Sequence, residues 1–330
     1  MMFVFALNSP NTAPMKIAII LDPLESIKTY KDSTYAIMGE AAARGHGLFV
    51  MEQQDLLLDG GEVLAAARQI ELVDDALRWY VVEEPRTQPL TAFDVVLMRK
   101  DPPFDMEYIY STYLLELAEA GGARIFNKPE SIRDFNEKLS TAKFPEFAPP
   151  TLVTRREELI REFLERHGDI ILKPLDAMGG SSIFRVQRQD PNLNVIIETM
   201  TALGSRTIMA QRYLPEIAQG DKRILLIDGE PVPYALARIP KAGETRGNLA
   251  AGAKGVAQPL SPRDREIAAS LGPKLREAGL FLVGLDVIGD WLTEINVTSP
   301  TGMQEIAAQT GFNVAGMFVD ALEKIERGEG

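Results

Sequence analysis

The sequence predicts an α/β chain of three units, and three of its features carry that expectation. The first is a strand–helix–strand opening. Lys16 to Leu21 is mostly apolar and stops at Asp22-Pro23, a helix fits Ser33 to Arg44, and Leu48 to Met51 is a second apolar run. Such alternation is typical of a parallel sheet. The second is a pair of proline joints, Pro149-Pro150 and Pro215, the latter straight after Gln211-Arg212-Tyr213-Leu214. The third is size. The chain has 330 residues, 45% apolar and 25% charged, an ordinary globular composition with material for a sizeable core. That length sets a prior of about two domains, which also admits three. The expected division is a tail over 1–14, an α/β unit over 15–130, a central unit over 131–214 and a C-terminal unit over 215–330.

In chain order, Asn8, Ser9, Pro10, Asn11 and Pro14 favour an irregular start. Ser33 is expected to cap the first helix and Gly45 to stop it. Leu56 to Gln69 reads as a hairpin about Asp59-Gly60-Gly61, and Trp79 to Val82 as a strand. Val95 to Met98 is a strand whose carboxyl end carries Arg99-Lys100-Asp101-Pro102-Pro103. Ligands of open α/β sheets sit at that end. A helix fits Met106 to Ala120, stopped by Gly121-Gly122, and Arg124 to Phe126 is the next strand. A helix from Ser131 to Thr141 would carry Asn136, Glu137 and Lys138. Leu152 to Thr154 is a strand, and a charged helix runs to His167-Gly168. A helix near Val195 to Leu203 then precedes a strand over Thr207 to Gln211. In the last unit, Lys222 to Ile227 and Pro231 to Ile239 flank an Asp228-Gly229 turn, and a helix fits Pro262 to Ala278. Phe281 to Ile288 and Trp291 to Val297 pair about Gly289-Asp290, and a final helix spans Val314 to Arg327.

Composition excludes several kinds of chemistry. There are no cysteines, so disulfides, thiolate nucleophiles and thiolate metal sites are out. The histidines, His46 and His167, lie apart at expected helix ends, which argues against a histidine zinc site. The formal charge is −12 and no basic run occurs, so nonspecific nucleic-acid binding lacks its electrostatic footprint. No window of about 20 apolar residues could span a bilayer. Phe3 to Leu7 is too short for a secretory signal core and lacks a basic flank. The expectation is a cytoplasmic, enzyme-sized protein with no nucleic-acid or membrane partner.

The chemistry centres on residues 169–183. Ile170 to Leu172 reads as a buried strand ending at Lys173, with Pro174 expected to stop the pairing because it has no N–H. Gly179-Gly180-Ser181-Ser182 follows, before a second strand from Ile183. Consecutive backbone N–H groups at glycines form an anion-binding concavity, and a lysine beside it suits a polyphosphate. An ordinary polar hairpin would give the same string, so the motif needs company. Neither a P-loop nor a three-glycine dinucleotide fingerprint occurs, so a nucleotide would be clamped between a glycine loop and lysines.

In Leu292-Thr293-Glu294-Ile295-Asn296-Val297, period 2 puts Glu294 and Asn296 on one face, with Asp286 on the partner strand. Three oxygen donors without His or Cys suit Mg²⁺. A solvated strand face is the plainer explanation, but the hydroxyl-rich turn Thr298-Ser299-Pro300-Thr301 favours a site. With a two-residue turn and a regular ladder, Asp286 would pair with Thr293 and face away from Glu294. A shared metal therefore requires an odd loop or a β-bulge. Arg223, Arg238, Arg246 and Lys138 add cations. Each alone could be a surface charge. With Lys173, the glycine loop and the acidic site they describe phosphoryl chemistry, which proceeds mainly by positioning and charge stabilisation.

The strings MRKDPPFD (98–105), NEKL (136–139), ILKPLDAMGGSSIFRV (171–186), GDKRILLIDGEPVPYALARIP (220–240), ETRGNLAAG (244–252) and GLDVIGDWLTEINVTSP (284–300) resemble bacterial glutathione synthetases, which are ATP-grasp ligases. The resemblance runs from Met15 to the C-terminal helix. It implies an ATP-grasp fold with an N-terminal parallel α/β domain, a central lid and a C-terminal metal domain, with ATP between the last two. It implies ligation of γ-glutamylcysteine with glycine, giving glutathione, ADP and phosphate, and a homotetramer. By the same resemblance Lys138 and Lys173 touch ATP phosphates and Gly179, Gly180, Ser181 and Ser182 cover them. Gln211, Arg212, Tyr213 and Leu214 hold adenine and Asp221 the ribose. Asp286, Glu294 and Asn296 hold Mg²⁺ or Mn²⁺, as two ions. Arg223, Arg238 and Arg246 stabilise the transferring phosphate and substrate carboxylates, and Asp22 and Arg99 contact γ-glutamylcysteine. Another ATP-grasp ligase, of the D-alanine–D-alanine type, would differ over 98–105 and 244–252. A nucleotide-binding regulatory module without catalysis would not need Arg223, Arg246, Glu294 and Asn296.

The stretch from Pro240 to Lys254 has glycines at 243, 247 and 252 and too few apolar residues to pack itself down. Loops of this kind are usually lids, binding loops or disordered segments. An acylphosphate must be covered from water, and Arg246 in the middle needs an anion. The expectation is a loop ordered by ligands. Trypsin should cut after Lys241, Arg246 and Lys254 rapidly in the free protein and slowly with ATP, Mg²⁺ and γ-glutamylcysteine together. An unchanged rate removes Arg246 from the catalytic set.

Overall fold

The computed structural model describes residues 13–75, 78–176, 182–241 and 252–329. Gly179, Gly180, Ser181 and Arg246 lie outside them, as does most of the expected lid. The first sheet contains β1 Lys16–Ile20, α1 Ser33–Ala43, β2 Gly47–Met51, β3 Leu56–Asp59, β4 Glu62–Leu72, β5 Tyr80–Val82, β6 Arg86–Pro89, β7 Val95–Met98, α2 Met106–Ala120 and β8 Ile125–Phe126 as its strands and helices. Strands β2, β1, β7 and β8 are parallel neighbours, and β4 joins β2 antiparallel with β3, β5 and β6 around it. The short polar β6 had no alternating pattern to betray it. The α1 cap is Asp32, whose carboxylate accepts from the Tyr35 N–H at 2.9 Å; Ser33 is already helical and buried.

The second sheet is wholly antiparallel, in the order β11-β10-β12-β9. Its elements follow α3 Pro129–Asp134: β9 Thr151–Thr154, α4 Glu157–His167, β10 Asp169–Pro174, β11 Phe184–Gln187, α5 Leu193–Thr201 and β12 Ile208–Arg212. Apolar residues of α4 (Ile160, Phe163) and α5 (Ile197, Met200) cover one face of it. Pro174 remains in β10, opposite Ile208, rather than stopping the strand before it. A terminal ladder position tolerates the missing N–H. The helix expected over Ser131 to Thr141 is broken. Asn136 Oδ1 accepts from the N–H groups of Lys138 and Leu139 at 3.1 and 3.0 Å, a local turn that competes with helix. Lys138 therefore sits at a break, ahead of a short 3₁₀ turn over Leu139–Lys143.

The third sheet has the antiparallel order β15-β14-β13-β16-β17. Its elements are β13 Asp221–Ile227, β14 Glu230–Ile239, β15 Lys254–Pro259, α6 Pro262–Glu277, β16 Leu282–Ile288, β17 Trp291–Asn296, α7 Met303–Thr310 and α8 Val314–Glu326. β15 and α7 were not expected. Both are short, and the exposed or half-buried β15 has little apolar alternation. The first and third sheets share a core: Phe281, Phe318 and Leu322 pack in one cluster with Ile17, Ile37 and Leu97.

Two local features fix the third sheet. In the β16–β17 hairpin, Ile288 pairs with Trp291 and Val287 with Leu292, but Asp286 pairs with Glu294. Thr293 is the extra residue, and its Oγ1 donates to the Asp286 carbonyl at 3.1 Å. The required bulge is present, and it turns Asp286 and Glu294 to one face. In the β13–β14 turn, Asp228 and Gly229 have φ of 49° and 80°, the paired positive angles of a tight hairpin. A Cβ on Gly229 would lie 2.9 Å from the Gly272 carbonyl oxygen of α6. Gly229→Ala should cost about 1–3 kcal/mol of stability. An unchanged urea midpoint would show that this contact yields easily.

Candidate active site

Strand register assembles the site. Arg223 on β13 lies opposite Asp286 on β16, and Asp221 lies opposite Arg238 on β14. Cross-strand partners share a face, as do residues two apart. Asp221, Arg223, Arg238, Asp286, Glu294 and Asn296 therefore all stand on one side of the third sheet. Lys138 and Lys173 reach the same face from the second unit and its entry.

Asp286 is the centre. Its carboxylate receives Arg223 Nε at 2.5 Å and Nη2 at 2.9 Å, Arg238 Nη2 at 2.8 Å, and Asn296 Nδ2 at 3.2 Å. Burial opposes its ionisation, but the two guanidinium groups outweigh burial and hold the carboxyl well below the usual range. Arg238 is also paired with Asp221. Burial pushes the Asp221 carboxyl up to about 7, with Asp286 and Glu294 adding to the rise and Arg238 opposing it. Glu294 Oε1 lies 3.8 Å from Lys173 Nζ and 3.9 Å from Lys138 Nζ. Lys173 also donates to the Thr293 carbonyl at 3.4 Å. Burial lowers the Lys173 pKa, an effect that Glu294 opposes.

These residues fit a hard divalent cation. Asp286 and Glu294 provide carboxylate oxygens and Asn296 an amide oxygen, and the buried Asp221 Oδ1 beside them lacks a hydrogen-bond partner. Two carboxylates and an amide leave positions for water and phosphate oxygens, as Mg²⁺ prefers. Among the described residues no group of three His, Cys, Asp or Glu side chains is arranged to hold a metal ion, at this face or elsewhere, so the donor set depends on the Asn296 amide. To take a cation, Asp286 must yield part of its bonding to arginine.

The other expected residues are distributed as follows. Ser182 follows β10 with φ of 56°. Gln211 is buried and donates to Thr151 Oγ1 at 3.0 Å. Arg212 lies over the Trp291 ring with its buried Nε unpartnered. The Tyr213 N–H donates to the Asp169 carbonyl at 3.0 Å, and Leu214 is buried. Asp22 pairs with Lys100 at 2.7 Å at the carboxyl end of the first sheet. Arg99 is buried, and donates to Thr34 Oγ1 and to the carbonyls of Thr298 and Pro300.

One residue on this face was not singled out from sequence. Glu137 lies 3.4 Å from Lys138 Nζ, and its backbone carbonyl accepts from Ile295 of β17. Burial raises its pKa, and Glu294 adds to the rise. Glu137 also lines an open cleft with Pro102, Phe104, Asn136, Asp176 and Thr298, so segments beside all three sheets contribute to its wall. It lies within the NEKL string, but a single glutamate beside a lysine does not by itself mark a functional group.

The electrostatics predict a pH effect. A carboxyl depressed on folding stabilises the protein above its unfolded value and loses that contribution as pH falls. Asp286 should contribute to an acid-side loss of stability beginning near about pH 4. Urea unfolding of Asp286→Asn should show a weaker pH slope there. An identical slope would mean that the arginine pairs do not persist in solution.

Comparisons with known proteins identify the family. The family model for the prokaryotic glutathione synthetase N-terminal domain matches residues 15–133, and the model for the corresponding ATP-grasp domain matches 137–311. The chain is 64% identical over 313 residues to the glutathione synthetase of Nitrosomonas europaea, covering 94% of this chain and 98% of that protein. It is 60% identical over 310 residues to that of Ralstonia nicotianae, covering 94% and 96%. Among solved structures, a D-cycloserine synthetase superposes with a TM-score of 0.66 at 15% identity, over 94% of this chain and 99% of that one. The ATP-grasp ligase PsnB gives 0.61 at 17% identity, over 96% and 100%. These distant likenesses speak to the ATP-grasp fold alone. With both family models matching and the cation-and-carboxylate face in place, the chain belongs to the prokaryotic glutathione synthetase family.

Proposed function

We propose that this chain joins the cysteinyl carboxylate of γ-glutamylcysteine to the amine of glycine, with ATP converted to ADP and phosphate. The observation that carries the reading is the bulge at Thr293. It brings Asp286 and Glu294 to one face with Arg223, Arg238, Lys138 and Lys173. A carboxylate is a poor acylating agent, because an oxide-like leaving group is unfavourable. Phosphorylation by ATP converts that oxygen into part of a phosphate, which can leave when the glycine amine attacks.

In this reading Asp286, Glu294 and Asn296 hold Mg²⁺, or Mn²⁺, as two ions. A bound divalent ion would neutralise charge on the phosphate oxygens. Lys138 and Lys173 bind the nucleotide phosphates, and Arg223 and Arg238 orient the carboxylate and the transferring phosphoryl group. Gln211 to Leu214 border adenine and Asp221 the ribose. Asp22 and Arg99, at the carboxyl ends of β1 and β7, face the γ-glutamyl end of the dipeptide. The roles of Gly179 to Ser182 as phosphate cover and of Arg246 on a lid rest on the sequence. The division near residues 130 and 214 into substrate, lid and metal units belongs to the same reading. So do a homotetramer, as the family resemblance implies, and a cytoplasmic location. No helix among the described residues is long and apolar enough to cross a membrane.

Phosphate release by the purified protein should require ATP, Mg²⁺, γ-glutamylcysteine and glycine together, and should match glutathione formed one for one. Release with D-alanine but not with γ-glutamylcysteine would reassign the substrate, and no release with either would leave a binding module. Glu294→Gln, which removes a charge at constant volume, should fold normally and lose on the order of 100-fold or more in kcat. Undiminished turnover at limiting Mg²⁺ would remove Glu294 from the metal set. Lys173→Ala should weaken ATP binding, and an unchanged nucleotide affinity would contradict its phosphate role.

A further inference from the structure

Asn127 follows β8 at the carboxyl end of the first sheet, and it is 4% exposed. Its side-chain amide makes three short hydrogen bonds to the third sheet. Nδ2 donates to the Leu282 carbonyl at 2.8 Å and to the Val297 carbonyl at 2.7 Å, and Oδ1 accepts from the Leu282 N–H at 2.8 Å. The last regular pair of the β16–β17 ladder is Gly284 with Asn296. Beyond it, the Asn127 amide bonds both backbone groups of Leu282 and the Val297 carbonyl. Val297 is the residue straight after Asn296.

A second buried side chain holds the next carbonyls. Arg99, at the end of the parallel strand β7, donates from Nη1 to Thr298 at 3.4 Å and from Nη2 to Pro300 at 3.1 Å, while Nε bonds Thr34 Oγ1. Asn127 and Arg99 line one small cavity with Phe281, Leu282 and Phe318, with about 10 Å³ available. That is at the lower limit for a single water, so there is little slack between the two sheets. The carbonyls of Val297, Thr298 and Pro300 are thus all tied to strand ends of the first sheet.

We propose that Asn127 is a positioning residue for the ligase reaction. Together with Arg99 it fixes the end of β17, and with it Asn296 and Glu294, relative to the sheet end that receives the dipeptide. Asn127 touches neither nucleotide nor substrate in this assignment. It acts by setting the separation between the phosphoryl-transfer face and the acceptor carboxylate. A displacement of about 1 Å in such a geometry reduces rate on the order of 100-fold. The inference rests on the ligase reading above, so the wild-type protein must first form glutathione. If it does not, that reading fails, not this one.

The test compares Asn127→Ala with the isosteric Asn127→Asp, which keeps the acceptor for Leu282 but sets oxygen against two carbonyls. Asn127→Ser, which keeps one small donor and acceptor at the same place, covers the case in which both fail to fold. Measured on the folded fraction, kcat/KM for γ-glutamylcysteine should fall roughly 100-fold, and phosphate release should exceed glutathione formed. The dissociation constant for a non-hydrolysable ATP analogue should stay within about twofold, because the nucleotide contacts lie on the other sheets. A merely structural role would lower the melting temperature and leave both kinetic readouts of the folded fraction at wild-type values. That outcome, or an equal loss of nucleotide affinity, would overturn the assignment.

Discussion

The buried carboxylate of Asp286 is the point on which the site turns. It is nearly inaccessible and carries bonds from Arg223, Arg238 and Asn296. Such a group is unfavourable in a low-dielectric interior unless its charge is matched, and two arginines supply the match. The same arrangement explains the choice of residues around it. Arg238 carries a second acid, Asp221, and Glu294 stands between two lysines. Opposite charges alternate across the face, so that a polyphosphate and divalent ions can replace partners without leaving an isolated buried charge. Site formation therefore follows from an extra residue in β17. Without the bulge at Thr293, Glu294 would face the other side of the sheet.

Much of this was legible in the chain itself. The apolar runs of β1, β2 and β7 and the bounds of α2 agree with sequence pattern, because burial on both faces or a strict helical period leaves a clear trace. The need for a bulge could be stated beforehand, since period 2 and a two-residue turn are incompatible with a shared face for Asp286 and Glu294. Other features left no local trace. β6, β15 and α7 are short, and tertiary contacts rather than periodicity stabilise them. The helix thought to carry Lys138 is interrupted by the Asn136 side chain, a competitor that propensity reasoning underrates. Asn127 was invisible for another reason. Its partners are backbone groups 155 and 170 residues away, and backbone partners impose no pattern on sequence.

The three sheets converge on a few short segments. Glu137, from the connection into the second sheet, bonds β17 through its backbone, and Asn136 donates to the Leu175 carbonyl after β10. The first sheet reaches the same strand through Asn127 and Arg99. Glu137 on one side, and Asn127 and Arg99 on the other, reach β17 or its continuation through a small number of hydrogen bonds, so the charged face is held from both sides beside an open cleft.

The central claim is that this face transfers a phosphoryl group from ATP to a peptide carboxylate. Oxygen labelling tests it most directly. With γ-glutamylcysteine carrying ¹⁸O in both cysteinyl carboxylate oxygens, one labelled oxygen should appear in each phosphate released and the other in the new amide carbonyl of glutathione. Phosphate free of label, formed alongside glutathione, would contradict an acylphosphate and with it phosphoryl transfer to the peptide at the Asp286 face.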